Sequence, residues 1–184
     1  DKSDALFYAM GDFIEGLGGR YITAEDSGTS VADILKISQR TSFVSGVNTA
    51  SDYGGDPSPS TAYGVFVSLR EVVSHKLGRS DLEGLKVAVQ GLGNVGYRLA
   101  EFLSNAGAEP FVSDIVQANV DRAVSNLNAT AVPGSSIYGL DVDVFSPCAL
   151  GASINDQSVE VLRASIVAGA ANNQLATPLH GQIL

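Results

Sequence analysis

The chain has 184 residues, 45% of them hydrophobic and 17% charged, and a formal net charge of −9 at pH 7. That length and balance suit one α/β domain, or one and part of another, with a sizeable core, and acidity without a Lys/Arg cluster argues against a nucleic-acid or anionic-membrane partner. No apolar run reaches the roughly 18–20 residues of a membrane span, the opening Asp1-Lys-Ser-Asp has no signal-peptide character, and one cysteine, Cys148, precludes an intrachain disulfide or a Cys-rich zinc site, so a reducing, cytoplasmic setting without a bound metal is expected.

Leu6, Phe7, Met10, Phe13, Ile14 and Leu17 recur at three and four, one face of a helix stopped by Gly18-Gly19. Arg20–Ala24 predicts a short strand, Asp26-Ser-Gly-Thr a turn, and Val31, Ile34, Leu35 and Ile37 a second helix. Residues 45–60, rich in Gly, Ser and Pro, read as a loop or hinge. An amphipathic helix is expected over 60–77, ending before Gly78. Strands near 86–90, 110–114, 129–132, 142–146 and 165–169 then alternate with helices near 94–106, 116–127 and 156–163, a pattern that implies a parallel sheet with right-handed crossovers. Residues 1–45 supply too little to close a core alone, so the chain reads as the middle of a longer protein, divided between residues 56 and 57.

The sharpest local signal lies in Lys86-Val-Ala-Val-Gln-Gly-Leu-Gly-Asn-Val-Gly96. Val87, Ala88 and Val89 form an apolar run suited to a strand buried on both faces. Gly91, Gly93 and Gly96 follow as G-x-G-x-x-G, with helical spacing after them. In that context Gly91 allows the tight turn, Gly93 lets a pyrophosphate approach the backbone, and Gly96 lets helix and strand pack closely. The amides of Leu92, Asn94 and Val95 share this segment, whose helix N-terminus attracts phosphate. Pro110-Phe-Val-Ser-Asp114 reads as the next strand, beginning at Pro110 because proline cannot donate to a ladder. Its acid falls 18 residues after Gly96, where a carboxylate accepts from the adenosine ribose hydroxyls; a surface Asp ending a strand is the plain alternative. Ile115 and Val116 follow, with no arginine to hold a 2′-phosphate, so the cofactor expected is NAD rather than NADP. The fold class expected is α/β, a doubly wound parallel (Rossmann-type) sheet preceded by the end of a smaller α/β unit, with five strands where such domains usually have six.

Several segments in order resemble one family: Gly19-Arg-Tyr-Ile-Thr-Ala-Glu-Asp-Ser-Gly-Thr29, Pro57-Ser-Pro-Ser-Thr-Ala-Tyr-Gly64, Leu82–Gly96, Phe145-Ser-Pro-Cys-Ala-Leu-Gly151 and Ala168-Gly-Ala-Ala-Asn-Asn-Gln174. Together they resemble the glutamate/leucine/phenylalanine/valine dehydrogenases, most of all the leucine and phenylalanine branch. The resemblance implies NAD-dependent, reversible oxidative deamination of an L-amino acid to a 2-oxo acid and ammonia, by an enzyme that self-associates when full length. It implies that residues 1–56 end a substrate domain plus hinge and that 57–184 bind NAD. It implies that Asp26 shuttles protons, that Ala24 borders the substrate, that Thr61 bonds the nicotinamide carboxamide, that Asn172 lies near the nicotinamide ribose, and that Cys148 and Ala149 line the cofactor cleft. Read from the residues alone, Asp26 is a turn or cap residue, Thr61 a helix N-cap or first-turn residue, Asn172 a turn residue and Cys148 a buried packing residue. His75 and His180 read as surface or packing residues. The family's lysine-bearing Gly-Gly-Gly-Lys-type segment has no counterpart here, so the chain alone is expected to bind NAD weakly and turn over little. Two alternatives are a non-catalytic NAD(H)-binding regulatory module and, more remotely, a methyltransferase.

Overall fold

The computed structural model describes residues 2–26, 28–47 and 55–184. It divides into two compact units, Asp1–Pro57 and Ser58–Leu184. Ser27 of the expected turn and residues 48–54 of the expected hinge lie outside the described residues.

The first unit is built on two helices, α1 (Asp4–Gly16) and α2 (Val31–Ile37). Ser3 caps α1 through Leu6 N–H, and Ser30 with Asp33 forms a capping box on α2. Phe7 and Ile14 pack against Ile34 and Ile37. The strand expected over 20–24 is absent: a single parallel bridge pairs Thr23 with Val44. Tyr21 and Ile22 are exposed, and among the described residues one bridge leaves the rest of the segment without the ladder that β-propensity alone does not supply.

The second unit opens with α3 (Ser58–Leu77), two residues earlier than expected, because proline fits a helix's first turn, where no N–H partner is needed. It continues through β1 (Lys86–Gln90), α4 (Asn94–Asn105), β2 (Glu109–Ser113), α5 (Gln117–Leu127), β3 (Thr130–Ala131), a 3₁₀ turn (Ile137–Gly139), β4 (Val144–Pro147), α6 (Asp156–Val161), β5 (Ile166–Val167) and α7 (His180–Ile183). The five strands form one parallel sheet in the order β3-β2-β1-β4-β5. Pro110 is the second residue of β2 rather than the first. Glu109 N–H donates to the Leu85 carbonyl on the β1 side, so position 110 faces the β3 side, where pairing starts only at Phe111 with Thr130; the missing donor costs no ladder bond.

Alternation along β1 sends Val87 and Val89 to one face and Ala88 to the other, all fully buried. The first face is covered by Leu69 and Val73 of α3, Leu99 and Leu103 of α4, and Val120 and Ala123 of α5. The second carries Phe145 with Ile137, Ile154 and Val159. Full burial of each Val or Leu contributes about 1.5–3 kcal/mol, so these side chains at the centre of the sheet are a main source of the unit's stability. Strand order reverses direction between β1 and β4, and the crevice beyond their carboxyl ends is where open α/β sheets bind ligands.

Candidate functional site

The turn leaving β1 is held on every side. Gly91 has φ +92, and its N–H donates to the Ser113 carbonyl at 2.8 Å. A Cβ there would lie 2.7 Å from the Ala149 nitrogen and 2.8 Å from its Cα, so the loop after β4 presses directly on this glycine. Cys148 N–H closes the same junction by donating to the Gln90 carbonyl at 2.7 Å. The Leu92 side chain is fully buried. Gly93 is the N-cap residue of α4, is exposed, and has nothing within 4 Å of where a Cβ would project. No side chain caps α4, whose first-turn amides lack intrahelical partners. At Gly96 a Cβ would collide with the Gly91 carbonyl and lie 3.0 Å from Cys148 Cβ, which sets how closely α4 crosses the turn.

Asp114 follows β2 directly and reaches back to the turn. Its Oδ2 accepts Leu92 N–H at 2.6 Å, and its Oδ1 accepts Val116 N–H at 2.7 Å. Ile115 stands wholly in solvent. Cys148 is partly buried, and desolvation pushes its thiol pKa up, against weaker lowering by the Ala170 backbone and the Ser146 hydroxyl. Burial against Gly96 thus favours the thiol over the thiolate, the form that reacts as a nucleophile. Ala149 lies between the two loops, partly buried.

Asn172 is exposed in the turn after β5. Its neighbours tie that turn to the loop after β4: Ala152 N–H donates to the Asn173 carbonyl at 2.5 Å and Ile154 N–H to the Gln174 carbonyl at 2.9 Å. Thr61, in the first turn of α3, lines a hollow of about 400 Å³ with Gly64, Ser68, Gly169 and Gln174. A hollow of about 340 Å³ at the opposite edge of the sheet, between Ser104, Pro110 and Thr130, contains none of the residues expected to act. The second unit thus gathers Gly91, Leu92, Gly93, Asn94, Val95, Gly96, Asp114, Cys148 and Ala149 around one turn, with Thr61 and the Asn172 loop at the same carboxyl edge.

Ala24 and Asp26 belong to the first unit, and both are exposed. Asp26 N–H donates to Thr29 Oγ1 at 2.9 Å, and its carbonyl accepts the Thr29 hydroxyl and N–H at 2.8 and 2.9 Å, so this turn is closed through the backbone of Asp26.

Two polar residues escaped the sequence reading. Glu25 has a buried Oε2 without a hydrogen-bond partner, and its pKa is raised, first by burial and then by the Asp56 charge. Gln90 donates from Nε2 to Tyr138 Oη at 2.5 Å and keeps a buried, unpartnered Oε1. Only their adjacency to Asp26 and Gly91 hinted at either. Among the described residues no group of three or more His, Cys, Asp or Glu could hold a metal ion, and no helix is long and apolar enough to cross a membrane.

Residues 55–115 match the family model for glutamate/leucine/phenylalanine/valine dehydrogenases. Leucine dehydrogenase of Geobacillus stearothermophilus is 49% identical over all 184 residues, which are half of that protein. This chain belongs to that family. It spans about half the length of the curated relatives it matches. The crystal structure of L-tryptophan dehydrogenase from Nostoc punctiforme aligns with all of the chain and 52% of its own, with TM-score 0.75 and 41% identity. A hetero-hexameric glutamate dehydrogenase from Thermus thermophilus aligns with 98% of the chain and 49% of its own, with TM-score 0.74 and 20% identity, a likeness of fold.

Proposed function

We propose that the protein carrying this chain catalyses the NAD-dependent, reversible oxidative deamination of a branched-chain or aromatic L-amino acid to the 2-oxo acid and ammonia. One observation carries the cofactor half: the uncapped N-terminus of α4, with Gly93 open in front of it. Those residues fit a dinucleotide diphosphate, because unpaired amides and the helix dipole both favour an anion there. When bound, the dinucleotide supplies the hydride acceptor that oxidises the substrate Cα–N bond to an imine, which water hydrolyses.

The amides of Gly93, Asn94, Val95 and Gly96 hold the diphosphate in this reading. Asp114 accepts from the ribose hydroxyls and repels a 2′-phosphate, and Ile115 offers an apolar surface beside it. Cys148 and Ala149 wall the cleft, Thr61 orients the carboxamide, and Asn172 bonds the nearby ribose. Asp26 takes protons from the substrate ammonium and from the water, in the way general bases act, and Ala24 borders the substrate. Residues 57–184 form the NAD-binding domain, and residues 1–56 end the substrate domain with its hinge. The enzyme works as a homo-oligomer in the cytoplasm. The charge of −9 supports small-molecule partners rather than nucleic acid. The relatives' names, leucine and tryptophan dehydrogenase, support an amino-acid substrate and disfavour a non-catalytic module.

The test is NADH formation by the intact protein across the common L-amino acids. Turnover with a branched or aromatic substrate is expected. No signal with any of them removes the enzyme reading, and faster reduction of NADP than NAD removes the cofactor preference.

A further inference from the structure

Both oxygens of Asp114 are engaged without any ligand. Oδ2 takes Leu92 N–H at 2.6 Å and Oδ1 takes Val116 N–H at 2.7 Å, both bonds strengthened by the carboxylate charge. Leu92 is the middle residue of Gly91-Leu92-Gly93, and its amide is directed to the end of β2. The preceding amide, Gly91 N–H, donates in the same direction to Ser113. Two consecutive amides therefore stitch the turn to β2, and neither flanking glycine has a side chain that could hold it otherwise.

We propose that Asp114 is a positioning residue: its carboxylate holds the Leu92 amide and so shapes the glycine turn before any dinucleotide arrives. Contact with a ribose uses the lone pairs left over, and only that part rests on the proposed function. Removing the carboxylate to admit a 2′-phosphate thus loosens the phosphate cradle for both dinucleotides. Asparagine does not replace it, because its NH₂ meets one of the two N–H donors donor-to-donor.

The direct test is residue-resolved hydrogen exchange on the ligand-free chain. Leu92 exchanges about tenfold or more faster in Asp114→Ala than in wild type, while Val89 and Leu103 amides keep their protection. Unchanged Leu92 exchange overturns the proposal whether or not the protein binds a dinucleotide. A scalar coupling across the hydrogen bond, between the Leu92 amide nitrogen and the Asp114 carboxyl carbon, decides the question in wild type if the variant does not fold, and its absence overturns it. In the intact protein, an NADH analogue lacking both adenosine ribose hydroxyls also binds Asp114→Ala about tenfold more weakly than wild type. Equal affinity for that analogue overturns the proposal, because a residue that only grips the sugar has nothing to lose there.

Discussion

The glycine turn of the second unit and the Asp26 turn of the first are constrained in opposite ways. At Gly91 and Gly96 the backbone meets other backbone at van der Waals contact, and the Gly91 and Leu92 amides donate to the Ser113 carbonyl and the Asp114 carboxylate. At Asp26 the backbone exchanges hydrogen bonds with Thr29, three residues on, and the side chain is exposed. The proposed diphosphate cradle draws on amides of one unit alone, fixed by packing. Geometry that moves a proton needs a substrate and a drier surrounding, and the exposed Asp26 turn provides neither by itself.

Substitutions separate these two kinds of dependence. The largest effect is expected for Asp26→Asn in the intact protein. Turnover falls on the order of 10²–10⁴-fold, while NADH affinity is kept; unchanged turnover breaks the assignment. Next is the pair at the glycine turn. Gly96→Ala drives a methyl into the Gly91 carbonyl and is expected to destabilise by roughly 1–3 kcal/mol, read from chemical unfolding. Gly93→Ala meets nothing, so stability stays within about 0.5 kcal/mol while dinucleotide binding weakens. Equal stability losses at 93 and 96 would undo the contrast between an open and a packed glycine.

A smaller effect concerns Cys148. Burial raises its thiol pKa, so near pH 8.5, about the ordinary thiol value, the folded chain keeps it protonated. Alkylation by iodoacetamide is expected to be slower in the folded chain than in urea, and equal rates contradict the packing role. The smallest effect lies in the first unit, where the bond from Lys2 Nζ at 3.0 Å holds the Asp33 carboxyl below its usual range. A lowered folded pKa means the contribution is present above the ordinary carboxylate range and is lost as pH falls through the folded value. Lys2→Met should therefore flatten the acid limb of the unfolding curve slightly, a change visible by circular dichroism against pH.

Much of the sheet was legible because its signals are local. The Val87-Ala88-Val89 run, the glycine spacing and the alternation of strands with helices each lie within one element or its immediate neighbour. The segment at 20–24 misled because β-rich composition does not make a strand without a partner, and among the described residues only Thr23 finds one. Pro110 misled because its harmlessness depends on where β3 starts to pair. At the site, the tight turn and the close approach followed from glycine chemistry. The Asp114–Leu92 bond spans 22 residues of sequence and arises only once β1 and β2 lie side by side. The Gln90–Tyr138 bond spans 48 and was equally invisible.

The central claim is that a dinucleotide diphosphate sits on the first turn of α4. Titrating the isotope-labelled chain with NADH, read by amide chemical shifts, tests it directly and tolerates weak binding. The largest shifts are expected at Gly93, Asn94 and Val95, with Asp114 next. Saturable shifts confined to another edge of the sheet, or none at millimolar NADH in the intact protein, would contradict it.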